Sequence, residues 1–165
     1  MKTLFLVRHA KSSWDDFSVS DHDRKLLPVG VQRTKKVAAW LQSSGNIPES
    51  IISSSAVRAF ETAKILAQGM GFPVEDIQKE PALYGADEED ILAYLFGLPQ
   101  SLNSVMLVGH NPAFTDLVNL FSEPGKQIDN LPTSAVAIIP FETSRWEEIP
   151  LAQRKTPVIV TPKML

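Results

Sequence analysis

The chain has 165 residues, of which 44% are hydrophobic and 21% charged, with a formal net charge of −3 at pH 7. This length suits one domain with a substantial core, so we expect a single domain over 1–165. The absence of cysteine excludes disulfides, thiolate nucleophiles and cysteine metal sites. The acidic balance argues against nucleic acid as a partner. The basic pairs, Lys35 with Lys36 and Arg154 with Lys155, are expected at the solvated surface.

No apolar run approaches the roughly 20 residues that span a bilayer, so we expect no membrane insertion. The chain passes from Met1 almost directly into an aliphatic run, without the apolar stretch and cleavage site of a secretory signal. A cytosolic location is therefore expected.

Strands and helices are predicted to alternate along the chain. Continuous aliphatic runs predict strands covered on both faces, and apolar spacings of three and four predict helices. The predicted order is a strand at 4–7, a polar loop at 11–24, a helix at 28–41, a strand at 51–52, a helix at 56–70, a strand at 73–77, a helix at 88–96, a strand at 104–108, a helix at 112–121 and a strand at 135–139. This alternation predicts an α/β fold, a three-layer α/β/α sandwich with a mostly parallel central sheet.

Proline and glycine set several expected boundaries. Pro112 is expected in the first turn of the helix that follows it, and Gly109 is expected to allow a sharp turn before that helix. Pro140 is expected to end the last core strand, since central strands exclude proline. The run 157–160 is predicted to be an edge strand or an extended tail.

Two of the predicted buried strands are followed by histidine, His9 after the first and His110 after the strand at 104–108. Ligands of parallel sheets bind outside the carboxyl ends of the strands, so two neighbouring strands would bring both imidazoles to one crevice. With no cysteine present, His9 is a candidate nucleophile. The guanidinium of Arg8 would hold a phosphoryl group through paired hydrogen bonds. The alternative is an ordinary surface Arg-His pair.

Two further residues are candidates for anion binding. Arg58 lies in the first turn of the helix predicted at 56–70, where backbone amides and the helix dipole favour an anion. Its alternative is a surface pair with Glu61. His110 is placed to hydrogen-bond a phosphoryl oxygen; the alternative is a capping or core histidine.

These residues, in this order, resemble the histidine phosphatase superfamily, also called the phosphoglycerate mutase-like superfamily. The resemblance is carried by Arg8-His9-Ala10, Ser55-x-x-Arg58-Ala-x-Glu61-Thr62 and Gly109-His110. Within it, the chain resembles the SixA-type phosphohistidine phosphatases. That finer resemblance is carried by Val7-Arg8-His9-Ala10-Lys11-Ser12, Asp21-x-Asp23-Arg24-x-Leu26-x-x-x-Gly30, Thr133-Ser134-Ala135 and Pro162-Lys163-x-Leu165.

The resemblance implies a phosphatase in which His9 is phosphorylated, Arg8 and Arg58 hold the phosphoryl group and His110 completes the pocket. Such a reaction requires mainly positioning and charge stabilisation, so no metal or other cofactor is expected. The expected substrate is a phosphohistidine-containing protein. A small phosphate ester, such as a sugar or nucleotide phosphate, is the alternative within enzymes, and a non-catalytic module that binds a phosphorylated ligand is the alternative outside them.

The chain departs from many superfamily members at the position of the general acid. They carry a glutamate shortly after the third strand, whereas the segment 82–87 of this chain contains none. Glu80, Tyr84 and Asp87 remain candidates for that role. A missing acid suits phosphohistidine, because imidazole can leave as a neutral molecule.

Four residues after the first strand remain unassigned. Lys11 and Ser12 follow His9 closely enough to reach the phosphate. The aromatic residues Trp14 and Phe17 either line a substrate rim or pack on the domain.

Overall fold

The secondary structure follows from a computed structural model that describes residues 1–165. The strands are β1 Lys2–Arg8, β2 Ser50–Ser54, β3 Gln78–Glu80, β4 Ser104–Gly109, β5 Val136–Glu142, β6 Gln153–Arg154 and β7 Val158–Val160. The helices are α1 Pro28–Ser43, α2 Val57–Met70, α3 Glu88–Phe96 and α4 Ala113–Leu120. Five short 3-10 turns complete the chain, at Asp21–Asp23, Val74–Asp76, Pro81–Leu83, Trp146–Glu148 and Pro162–Met164. None of the helices combines the length and the apolar character needed to cross a membrane.

All seven strands form one sheet in the order β3-β2-β4-β1-β5-β6, with β7 also paired to β5. The block from β3 to β1 is parallel, and β5 runs antiparallel to β1. The two histidine-bearing strands, β1 and β4, are parallel neighbours with Arg8 opposite Gly109. The peptide N–H of His9 donates to the carbonyl of Gly109 over 2.9 Å. The predicted convergence of these strand ends is therefore confirmed.

The sheet is covered on both faces, which confirms the predicted three-layer sandwich. Alternate residues of β1 face opposite cores: Leu4 and Leu6 join one, and Phe5 and Val7 the other. The first core is filled from α3 and α4 by Ile91, Leu95, Phe114 and Leu117. The second is filled from α1 and α2 by Val37, Leu41, Ala59 and Ala63. Both faces of β1 are buried, which explains why its sequence is continuously apolar.

The third strand lies further along the chain than predicted. The segment 73–77 turns instead of extending, because Asp76 and Ile77 donate their N–H groups to the carbonyls of Pro73 and Val74. The buried side chain of Ile77 packs in the core from that turn. The polar strand Gln78–Glu80 then pairs with β2 at the sheet edge.

The expectation that Pro140 ends the last core strand is wrong. Pro140 lies inside β5, opposite Thr3 of β1. On its other side, β5 pairs with β7 through Val136–Ile138 and with β6 from Phe141 onward. Pro140 thus falls between two short ladders, where a missing N–H is tolerated. The run at 157–160 contains the edge strand β7, so the extended tail is excluded.

The start of α4 also differs from the prediction. The helix begins at Ala113, so Pro112 precedes its first turn. Pro112 is the N-cap residue, and the side chain of Asn111 before it supports the helix start, since its Oδ1 accepts from the N–H and hydroxyl of Thr115. Gly109 makes no sharp turn; it is the last residue of β4. A larger residue is excluded at this position, because a Cβ there would lie 2.7 Å from the ring of the buried Phe114.

Candidate active site

One cleft, of about 340 Å³, contains all four residues that the sequence singled out. Arg8 and His9 come from the carboxyl end of β1, and His110 follows β4 directly. Arg58 lies in the first turn of α2, after β2. The imidazole rings of His9 and His110 are 5.3 Å apart between centroids. Their convergence follows from parallel strands ending at the same edge of the sheet.

His9 presents a neutral imidazole with one nitrogen open to the cleft. Its Nδ1 is 2.8 Å from the carbonyl oxygen of Ala10, an acceptor, so the ring proton resides on Nδ1. Nε2 has no hydrogen-bond partner in the protein and is not among the fully buried unpaired nitrogens. Burial, helped by the charges of Arg58 and Arg8, lowers the pKa of His9 to about 4. At neutral pH, Nε2 therefore carries a free lone pair, as a nucleophile requires.

His110 is a hydrogen-bonding group of the same cleft. Its Nε2 is 2.8 Å from the hydroxyl oxygen of Ser54, which itself accepts from the N–H of Ala56. This arrangement favours donation from Ser54 to Nε2, which leaves the ring proton on Nδ1. Burial, and next the neighbouring His9, lower the pKa of His110 to about 3. His110 thus offers a neutral N–H donor and is not an apolar core histidine.

Arg58 is buried and Arg8 is half-buried, and both line the cleft, so neither is an ordinary surface arginine. Arg58 is 6% exposed and donates to the backbone and carboxylate oxygens of Asp21, at 2.6 and 3.1 Å. Glu61 pairs with Lys64 and forms no ion pair with Arg58, whose partner is Asp21. Arg8 donates to the carbonyl of Leu131 over 3.0 Å.

The buried side-chain nitrogens that lack a hydrogen-bond partner all belong to this cluster. They are Nε of Arg8, Nε of Arg58 and Nδ1 of His110. Buried donors are normally paired, so three unpaired donors on residues that line one cleft favour a ligand with several acceptor oxygens there.

Asp21 is the site residue that sequence reasoning missed. Its carboxylate accepts from Arg58, from Nε of Arg24 at 3.1 Å and from the hydroxyl of Tyr84 at 2.6 Å. The hydrogen bond from Tyr84 is the largest cause that lowers the pKa of Asp21 to about 2. Asp21 belongs to one of the motifs that carry the family resemblance, but no spacing rule links it to Arg58, which is 37 residues away.

The charges of the cleft favour an anion. Its cationic residues are Arg8, Lys11, Arg24 and Arg58, whereas Asp21 is its one carboxylate. No cluster of three or more His, Asp or Glu side chains is arranged to hold a metal ion. A tetrahedral oxyanion such as a phosphoryl group matches this set of donors.

Comparison with known proteins agrees with this geometry. Residues 4–85 match the model of the histidine phosphatase superfamily (branch 1). The chain is also 34% identical over 156 residues to an uncharacterised chloroplast protein of Arabidopsis thaliana, covering 89% of this chain and 70% of the relative. The chain belongs to the histidine phosphatase superfamily. Family and site together support phosphatase activity.

Solved structures share the fold of this superfamily member at low sequence identity. The protein histidine phosphatase SixA complexed with tungstate superposes with a TM-score of 0.80 at 24% identity, covering 98% of each chain. A mycobacterial glucosyl-3-phosphoglycerate phosphatase superposes with a TM-score of 0.67 at 16% identity, covering 94% of this chain and 98% of the other.

Of the three candidate acids, only Tyr84 lies beside the histidines. Its ring centroid is 5.7 Å from that of His110, and its hydroxyl donates to Asp21. Glu80 caps the following 3-10 turn by accepting from Ala82. Asp87 forms the capping box of α3 with Asp90. Neither of these carboxylates lines the cleft.

The residues after β1 form part of the cleft wall. Lys11, Ser12 and Trp14 line it, and Ser12 accepts from Nη1 of the buried Arg24. Trp14 stays 69% exposed with the guanidinium of Arg24 3.4 Å from its ring centroid, and Phe17 is 97% exposed. Trp14 therefore lies at the rim of the cleft, as one of the two alternatives predicted. Phe17 does not pack on the domain, which excludes the other alternative for that residue.

Proposed function

We propose that this chain is a metal-independent phosphatase that removes the phosphoryl group from protein phosphohistidine through a covalent intermediate on His9. One observation carries the choice of substrate. Asp21 is the only carboxylate lining the cleft, and its pKa of about 2 keeps it ionised at neutral pH. No carboxylic acid is thus available to protonate an alkoxide. A protonated imidazole leaves as a neutral molecule and needs none.

In the first step, Nε2 of His9 attacks phosphorus in line with the substrate's P–N bond. The substrate imidazole carries a proton on its other ring nitrogen, so when the P–N bond breaks and its electron pair returns to the leaving nitrogen, the substrate histidine departs neutral. Arg8, Arg58 and His110 stabilise the charge on the phosphoryl oxygens. The hydrogen bond from Nδ1 to Ala10 holds the ring of His9 while the positive charge of phosphoimidazolium develops on it.

In the second step, water attacks the phosphorus of phospho-His9. The P–N bond breaks with its electron pair returning to Nε2, the water's proton goes to a phosphate oxygen or to solvent, and inorganic phosphate leaves while the neutral ring of His9 is regenerated. The low pKa of His9 favours the neutral ring as the leaving group. The same donors that bind the substrate's phosphoryl group remain in place for this step.

The position of Tyr84 favours a second candidate, hydrolysis of a small phosphate ester. Its hydroxyl is the one other acidic proton close to the histidines. However, its hydrogen bond to Asp21 raises the pKa of Tyr84, so it is a weak proton donor. A non-catalytic phosphate-binding module fits less well, because binding alone does not require the free Nε2 of His9.

The experiment compares phosphate release from a phosphohistidine peptide and from an alkyl phosphate ester, with mass spectrometry of the enzyme after alkaline quench. We expect release from the peptide and an acid-labile phosphoryl adduct on His9. His9→Ala should abolish both. Lys35→Ala is the control, because Lys35 is an exposed residue of α1 outside the cleft lining, and this variant should retain both.

Three other results would change the proposal. Turnover in His9→Ala would exclude the covalent route. Release from the ester alone would move the substrate class to phosphate esters, and binding without adduct or release would indicate a recognition module.

A further inference from the structure

A second cleft, of about 680 Å³, adjoins the reaction site. The two clefts share Thr133 in their walls. The second cleft lies where α1 packs against the 3-10 turn Pro162–Met164. Its charged side chains are Arg33 and Lys36 of α1 and Lys163 of the turn, and we call this surface the basic groove.

The cations of the basic groove have no partners within the protein. Arg33, Lys36 and Lys163 are all exposed, and none makes a side-chain hydrogen bond or lies within 4.0 Å of a carboxylate. Arg33 and Lys36 are three residues apart and share one face of α1. No Asp or Glu lines the groove. Three unpaired like charges around one concavity create a positive potential that attracts anions.

We propose that the basic groove binds an acidic surface of the protein substrate next to its phosphohistidine. This inference rests on the proposed function. The shared wall at Thr133 allows one ligand to place its phosphoryl group in the reaction cleft and further negative charge in the groove. A single exposed ion pair contributes little, so the groove favours a ligand that engages several of its cations together. An acidic protein surface has that form.

The test uses two peptides, each with one phosphohistidine, flanked by four glutamates in the first and four glutamines in the second. We expect wild type to prefer the glutamate peptide about tenfold in kcat/KM, through KM, with a preference that shrinks as salt rises. The triple variant Arg33→Glu, Lys36→Glu, Lys163→Glu should lose the preference and keep its rate on the glutamine peptide.

Lys36→Glu and Lys35→Glu form the matched pair. Both change the same charge on exposed residues of α1, but Lys35 lies outside the groove. Lys36→Glu should reduce the preference, and Lys35→Glu should leave it near the wild-type value. Circular dichroism of each variant checks that the fold is kept.

Each remaining outcome decides the inference. Equal wild-type rates on the two peptides would overturn it and leave the proposed function standing. If neither peptide is hydrolysed, the proposed function fails, and fluorescence anisotropy of the labelled, unphosphorylated peptides then tests the groove. Tighter wild-type binding of the glutamate peptide that is lost in the triple variant would support the groove. Equal binding of the two peptides would overturn it. Variants that weaken binding of inorganic triphosphate alone would reassign the groove to small anions.

Discussion

At the scale of single residues, the candidate active site combines histidines kept neutral with arginines held by hydrogen bonds. Burial and the nearby guanidinium groups disfavour a second proton on His9 and on His110. Asp21 holds the guanidinium of Arg58 through two hydrogen bonds. In the proposed mechanism, His9 is therefore unprotonated on Nε2 at neutral pH, and the orientation of Arg58 is set before substrate arrives.

The role of Tyr84 is tested by Tyr84→Phe. Asp21 keeps its bonds to Arg58 and Arg24 in this variant, so we expect kcat/KM on a phosphohistidine peptide to stay within about threefold of wild type. Turnover of an alkyl phosphate would fall about a hundredfold or more if the hydroxyl is its proton donor. Tyr94→Phe, at the chain's other tyrosine, controls for loss of a hydroxyl. A hundredfold loss on phosphohistidine would contradict our assignment.

At the scale of elements, close contacts between segments position the site. A Cβ on Gly30, in the first turn of α1, would lie 2.6 Å from the carbonyl oxygen of Lys11. The same carbonyl accepts from the N–H of Leu27. Lys11 lies two residues after His9, which follows the last residue of β1. Glycine thus allows α1 to pack directly on the segment that follows His9.

We expect Gly30→Ala to lower the free energy of unfolding by about 1–3 kcal/mol, because backbone must move to admit the methyl group. Activity should fall as well, since Lys11 lies beside the cleft. Gly97→Ala is the matched control, because the nearest atom to its Cβ would be 3.6 Å away. Urea denaturation and phosphatase assays measure both effects, and equal stability of the two variants would exclude the steric explanation.

Lys2 joins β1 to the segment before β4. Its side chain is fully buried, and Nζ donates to the carbonyls of Gln100 and Leu102 and to Oδ1 of Asn103, at 2.5, 2.8 and 3.1 Å. Lys2→Met would leave these acceptors without that donor, and we expect a loss of about 2–4 kcal/mol in urea denaturation. The exposed Lys35→Met should change stability by less than about 0.5 kcal/mol. A similar small loss for Lys2→Met would show that Lys2 is dispensable for folding.

At the scale of the whole molecule, the neutral histidines couple stability to pH. The pKa values of His9 and His110 are about 4 and 3 in the folded chain, against an ordinary value of 6.5. Between these limits the unfolded chain binds more protons than the folded one. The free energy of unfolding is therefore fully retained above pH 6.5 and decreases as the pH falls toward 4, by up to about 1.4 kcal/mol per pH unit for each histidine.

Urea denaturation at several pH values between 7.5 and 4.5 measures this slope. In His9→Gln one titrating group is gone, so the slope should be shallower than in wild type. Asp21 adds to acid sensitivity only at lower pH, because its lowered pKa of about 2 confines its contribution to the range below 3.8. An unchanged slope in His9→Gln would contradict a depressed pKa for His9.

Local patterns in the sequence determined most of the architecture and the residues of the candidate site. The continuous apolar runs predicted β1 and β4, because burial on both faces leaves no alternation, and the parallel-sheet rule placed His9 and His110 together. Apolar spacing predicted α1 to α4 nearly to their ends. These features depend on residues close together in the chain, so periodicity reveals them.

Only the tertiary structure decided the contacts between distant segments. Asp21 meets Arg58 and Tyr84, Pro140 lies in a gap between two edge ladders, and Lys36 joins Lys163 in the basic groove. None of these has a periodic signal, because each depends on how separate segments pack. The sequence by itself thus determined which chemical groups reach the strand ends, and packing determined how those groups are held and what surrounds them.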